Sequence, residues 1–271
     1  MKFNITFQLL RPGQLLPLSY QYELSSWIYQ RIGDANQDFA NFLHEEGYVA
    51  GKKRFKFFSF SRLGVPRFEI QGDRMKILCS EVSFVISFLV PQAAQELILG
   101  IFKEEQFQLG DYVSRVDLRV KSIDVLPQAT FSHEPQKFRT SSPLMLSRAG
   151  LMKNGKLGHQ YLSPRDQGYE ELFIRNLKEK HQSALKHGLA ESIEGDAKCS
   201  FRLLNNRAKS QLIRIKANKE AETKVRAYLF DFELKAPPEL IRTGFLAGFG
   251  GENALGFGAV SMIGGNRKKN N

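Results

Sequence analysis

The chain has 271 residues, 42% of them hydrophobic and 22 of them phenylalanine, enough for a core in each of two ordinary domains. Its formal net charge of +11 favours a polyanionic partner, nucleic acid before an anionic membrane surface. Cys79 and Cys199 show no C-x-x-C spacing, and no run of about 18 apolar residues occurs, which argues against a zinc site and a membrane helix.

Two widely separated cysteines suit a reducing, cytoplasmic setting. The opening MKFNITFQLL is too short and too alternating for a signal peptide. Residues 2–9 place Phe3, Ile5, Phe7 and Leu9 on one side and predict a half-buried strand. A loop with Pro12, Gly13 and Pro17 follows, then a predicted helix over 21–32. Leu24, Trp27, Ile28, Arg31 and Ile32 form its buried stripe, and Tyr29 lies off the centre of that stripe. Residues 34–43 predict a second helix, with Asp34 as N-cap and Gln37 three residues on. His44 then falls in the last turn, and Gly47 stops it.

Strands are predicted over 54–60, 67–71, 75–79 and 84–89, a helix over 91–103 with proline in its first turn, and a strand within 113–126. The second half repeats this order. A strand lies within 131–147, a helix over 166–187, strands at 198–204, 211–217 and 224–234, a helix that starts at Pro237-Pro238-Glu239-Leu240 and runs to about 247, and a final strand at 257–263. The pattern predicts an α+β chain of two tandem ferredoxin-like, RRM-like βαββαβ domains, 1–130 and 131–265, followed by a disordered tail, 266–271. RNA-recognition modules share this topology, but so do metabolic enzymes.

Residues 248–258 read GFGGENALGFG. Gly251 is followed by Glu252 and Asn253, not by the Lys-Ser/Thr of a phosphate-binding P-loop. The dinucleotide fingerprint needs glycine where Asn253 stands, and a helix where a strand is predicted. A glycine-rich turn between a helix and the last strand is the plainer reading.

Of the five histidines, none forms an i, i+4 metal pair. His133, His159, His181 and His187 read as structural, with His181 and His187 solvated on a charged helix. His44 differs, because it ends a helix just before GKKRFKFFSFS. That stretch interleaves Lys52, Lys53, Arg54 and Lys56 with phenylalanines, and on one strand Arg54, Lys56, Phe58 and Phe60 would share a face. Such a face suits a nucleic-acid backbone with bases stacked beside it, or equally an edge strand guarded by lysines.

Taken together, LPLSYQYELSSWIYQRI, FLHEEG, KFFSFSRL and above all GFGGENALGFGAV resemble the CRISPR-associated endoribonucleases of the RAMP superfamily, which cut precursor CRISPR RNA within its repeats. The resemblance spans the chain and is weak over about 130–200. It implies a metal-independent cut in which the 2′-hydroxyl attacks the adjacent phosphate, leaving a 2′,3′-cyclic phosphate and a 5′-hydroxyl, with no cofactor. By resemblance His44 is the family histidine, Tyr29 the family tyrosine and Lys56 the lysine, with Lys52 and Lys53 as alternatives for it. The glycines Gly248, Gly250, Gly251, Gly256 and Gly258 would bring backbone N–H groups to RNA phosphate at the interdomain cleft, with Glu252 turned away. Lys52, Lys53 and Arg54 in the first half, and Lys209, Arg214 and Lys216 in the second, are candidate RNA contacts, or else a solvated face. The implied partners are repeat RNA, effector-complex subunits and a second copy as homodimer, without a membrane. The competing readings are a non-catalytic RNA-binding subunit of an effector complex and a basic metabolic enzyme.

Overall fold

Alternation over residues 2–9 produces a strand, β1 (Lys2–Leu9), with Phe3, Ile5, Phe7 and Leu9 all buried. The computed structural model describes residues 1–51, 53–151, 157–193, 198–205, 208–217 and 220–264. Lys52 and the tail at 266–271 lie outside the described residues. After β1 come β2 (Leu15–Pro17), α1 (Gln21–Ala35), α2 (Gln37–Asn41), β3 (Tyr48–Ala50), β4 (Lys53–Phe55) and β5 (Phe58–Phe60). Then follow β6 (Phe68–Gln71), β7 (Arg74–Ile77), β8 (Glu81–Phe88), α3 (Pro91–Lys103), β9 (Gln106–Gly110) and β10 (Arg115–Val125). The second half runs β11 (Gln136–Thr140), β12 (Ser147–Leu151), β13 (Leu157–Tyr161), α4 (Tyr169–Lys186) and β14 (Ser200–Leu203). It ends with β15 (Lys209–Ile215), β16 (Thr223–Leu229), β17 (Asp231–Lys235), α5 (Pro238–Ala247) and β18 (Val260–Met262).

Two sheets carry the architecture, in the orders β5-β8-β1-β10-β9 and β14-β17-β11-β18, with antiparallel neighbours. With β9 set aside, each sheet reads second, third, first, fourth strand along the chain. One helix follows the first strand and one follows the third. This is the ferredoxin-like arrangement twice over. Register aligns the apolar faces: Ile5 lies opposite Phe84 on β8, and Leu9 opposite Leu118 on β10. One hydrophobic cluster runs through both halves. Lys2 crosses between them, its Nζ donating to the Val260 carbonyl at 2.8 Å and lying 3.4 Å from the Phe245 ring centroid. No helix among the described residues is long and apolar enough to cross a membrane.

Local expectations need three corrections. Asp34 is not a cap; it lies inside α1 and pairs with Arg31 at 2.9 Å. The cap of α2 is Asn36, whose Oδ1 accepts from the Phe39 amide at 3.0 Å. Residues 54–60 are not one strand. Phe57 takes a left-handed φ of 54° between β4 and β5, so the two-residue alternation breaks. Phe58 and Phe60 then pack in the core, while Arg54 and Lys56 stay outside it. His181 is not solvated: it is 4% exposed and its Nδ1 lies 2.8 Å from the Thr243 hydroxyl on α5.

Helices α1 and α3 cross where Gly100 meets Arg31. A Cβ on Gly100 would fall inside the van der Waals shell of the Arg31 carbonyl oxygen. The Arg31 side chain, 1% exposed, is held by Glu104 at 2.8 Å and by Asp34. Helix propensity alone predicts that Gly100→Ala gains about 1 kcal/mol. Overpacking against a backbone oxygen outweighs it, so the expected result in urea unfolding is a net loss of about 2 kcal/mol. A stabilised variant would show that the two helices are free to separate.

Candidate active site

The chain after α2 does not end as an ordinary helix. Residues Phe42–Glu46 form a π-helical turn closed by Gly47, whose N–H donates to the Phe42 carbonyl at 2.7 Å. The turn buries Leu43 and leaves His44 exposed on the outside. Gly47 has a φ of 63°, and a Cβ there would stand 2.7 Å from the Phe55 carbonyl oxygen. The π-turn and β4 therefore lie close together. That closeness brings the Lys56 Nζ to 2.8 Å from the His44 carbonyl oxygen. Tyr29, half-buried on α1, packs edge-on to the His44 ring with centroids 5.5 Å apart.

These three side chains open onto a cleft of about 1010 Å³ whose walls come from both halves. The first half contributes α1, the π-turn and β4. The second half contributes β12, β13, α4 and the glycine-rich loop. Arg54, Lys56, Arg148 and Arg175 line the cleft, and among the described residues none of the four has a carboxylate partner. Lys53 also lines it, paired with Glu179. Burial, and then the charge of Glu252, hold the Tyr29 phenol well above its ordinary pKa. Burial, then Arg54, lower the pKa of Lys56. No group of three or more His, Cys, Asp or Glu among the described residues is placed to hold a metal.

The glycine-rich loop approaches protein before anything else. The N–H groups of Gly251, Gly256 and Gly258 donate to the carbonyls of Met145, Asn253 and Pro143 at 2.9, 3.1 and 2.9 Å. The expectation that these three amides face phosphate is thus corrected, since their protons are already shared. The carbonyls of Gly248 and Gly250 instead point onto α4. Lys180 is buried and its ammonium donates to the carbonyls of Gly248 and Gly250 and to Asn253 Oδ1, the last at 2.7 Å. Burial draws its pKa down to about 7, while the three oxygens favour the protonated form. Glu252 is not turned away: it lines the cleft with a φ of 54°.

The three basic residues that the sequence suggested in the second half do not converge on this cleft. Arg214 is engaged with Asp73 at 3.0 Å, Lys209 is exposed at the start of β15, and Lys216 follows its last residue, 5.9 Å from the Tyr22 ring centroid. The sequence reading missed Lys180, Arg148, Arg175, Glu252 and His159 as cleft residues. A buried lysine within the apolar stripe of α4 was the one signal available for Lys180. His159 and Arg148 sit on the β12–β13 hairpin, which periodicity did not reveal.

Comparison with known proteins places this geometry. Residues 126–262 match the family described as CRISPR associated protein Cas6, C-terminal, and residues 15–124 match CRISPR-associated protein Cas6, N-terminal. The chain is 26% identical over 259 residues to CRISPR-associated endoribonuclease Cas6 1 of Methanocaldococcus jannaschii, covering 94% of this chain and 91% of that one. It is 27% identical over 250 residues to CRISPR-associated endoribonuclease Cas6 of Pyrococcus furiosus, covering 92% and 84%. In fold it is similar to the solved structure of a Cas6-related protein from Pyrococcus furiosus, with a TM-score of 0.79, 24% identity, and 98% and 99% of the two chains covered. It is also similar to a RAMP protein described as binding different RNA substrates, with a TM-score of 0.78, 22% identity, and 97% and 99% covered.

Lys180→Met keeps the length of the side chain and removes the charge. It leaves two carbonyls and one amide oxygen facing a side chain that cannot donate. We expect a loss of about 3 kcal/mol in chemical denaturation, because orphaned buried acceptors cost about 1–3 kcal/mol each and some regain water. An unchanged midpoint would mean that the loop is held by its own amides alone.

Proposed function

The chain belongs to the Cas6 family, and from that premise we propose that it is an endoribonuclease cutting precursor CRISPR RNA within its repeats. The observation that carries the reading is the meeting of His44, Tyr29 and Lys56 at one cationic cleft. The names of the relatives from Methanocaldococcus jannaschii and Pyrococcus furiosus support the activity.

The step we propose is transesterification within the RNA. The 2′-oxygen forms a bond to the adjacent phosphorus as the bond from phosphorus to the 5′-oxygen breaks. The proton of the 2′-hydroxyl passes to a base, and the leaving oxygen takes a proton from an acid. The products are a 2′,3′-cyclic phosphate and a 5′-hydroxyl. Tyr29 is a hydrogen-bond donor here and not the base, because burial keeps its phenol neutral. His44 is exposed at the cleft and is the side chain placed to move the proton. Lys56 offsets charge that accumulates on the phosphate oxygens. Arg54, Arg148 and Arg175 draw the strand in by its backbone. The step as proposed draws its proton transfer from His44 and its charge compensation from Lys56, without a metal.

The test is cleavage of the CRISPR repeat RNA that accompanies the gene, in EDTA. The wild-type protein should make one cut ending in a cyclic phosphate. His44→Ala should slow cutting by about 10²–10⁴-fold with RNA affinity little changed. Lys56→Ala should slow it by about 10²-fold, and Tyr29→Phe by less. Tight binding without any cut by the wild type would favour the non-catalytic RNA-binding subunit instead.

A further inference from the structure

Glu252 is out of place in a cleft that collects cations. Its φ of 54° lies in the left-handed region that glycine favours, in a loop otherwise rich in glycine. A side chain held there at a conformational cost of about 1 kcal/mol points to a use for it. Among the described residues its carboxylate has no hydrogen-bond or ion-pair partner. The groups whose fields it meets are His159 and the phenols of Tyr29 and Tyr161. Its own pKa is raised by desolvation, against the pull of His159. The side chain is exposed at the cleft surface, near aromatic rings, with its acceptor oxygens unspent.

A phosphate would be repelled by this carboxylate, so an RNA strand in the cleft must meet it with a base. A carboxylate accepts two hydrogen bonds best from two adjacent N–H donors. Of the four neutral bases only guanine presents such a pair on its Watson–Crick edge, N1–H beside the N2 amine. Uracil sets its one N–H between two carbonyls. Adenine and cytosine each set an amine beside a ring-nitrogen acceptor. Tyr22 and Tyr29 line the same cleft, and aromatic side chains are the usual partners of an unpaired base. We propose that Glu252 reads an unpaired guanine of the bound RNA, accepting from its N1–H and N2 amine. The proposal rests on the reading that repeat RNA occupies this cleft.

The test is a binding series with the repeat RNA, each guanosine replaced in turn by inosine, which lacks only the N2 amine. Binding is measured in the His44→Ala background, so that the RNA stays whole, with and without Glu252→Ala. Both proteins should melt at the same temperature. With Glu252 present, one inosine position should weaken binding by about tenfold, within the discrimination given by a bidentate contact. With Glu252→Ala the same position should lose nothing further. If every inosine acts equally in both proteins, or if Glu252→Ala tightens binding to all the RNAs, the carboxylate reads no base and the proposal fails. If neither protein binds the unmodified repeat, the endoribonuclease reading fails as well, and the two failures are told apart by that control.

Discussion

The cleft depends on one buried ammonium group. Lys180 reaches from α4 and binds two carbonyls of the glycine-rich loop together with Asn253 Oδ1. Asn253 in turn donates to the Phe249 and Phe257 carbonyls at 2.9 and 3.0 Å. Backbone oxygens at a tight turn must be met by donors when they are buried. Here a single side chain meets two of them, and the turn can be as sharp as its glycines allow. The loop is thereby fixed on the second half before it meets the first.

The same loop then closes the interface between the two sheets. Gly256 lies so close to the Phe60 ring that a Cβ would stand 2.8 Å from it, and the Ser25 hydroxyl donates to the Ala254 carbonyl at 2.7 Å. Phe60 belongs to β5 and Ser25 to α1, the helix that carries Tyr29. The position of Tyr29 relative to Glu252 is thus set through a chain of contacts that starts at Lys180. Lys2, bonded to the Val260 carbonyl, and Arg214, paired with Asp73, tie the halves at other points. With so many links between them, the cleft walls have little freedom to slide, which suits a reaction that needs in-line geometry at phosphorus.

Much of this was legible where one physical rule dominates. The strand at residues 2–9 and the helices at 91–103 and 238–247 follow from period and from proline at the first turn, and they stand where those signals put them. The Tyr29–His44–Lys56 grouping was legible only by resemblance, since no local rule links residues on a helix, a π-turn and a strand end. What stayed hidden depended on competition between levels. The hidden break at Phe57 arises because tertiary packing holds a bulky residue in left-handed backbone, against its local preference. The Asn36 cap lost to Asp34 in the reading because both are good caps, and only the extra turn of α1 decides between them. The glycine pattern said that something comes close, but not whether that partner was RNA or the protein itself.

The balance of charge in the cleft is the last constraint. Four cationic side chains without carboxylate partners would bind any strand of nucleic acid through its phosphates, and phosphate contacts carry no sequence information. A nuclease meant for one repeat gains nothing from more of them. An acidic side chain works in the opposite sense: it weakens contact with every strand and is repaid only by the strand that offers it donors. Placing Glu252 in the loop that Lys180 anchors puts this test on a wall whose backbone is held by buried hydrogen bonds. On the proposed reading, general attraction then comes from the basic residues, and discrimination from an acidic group carried on an anchored backbone.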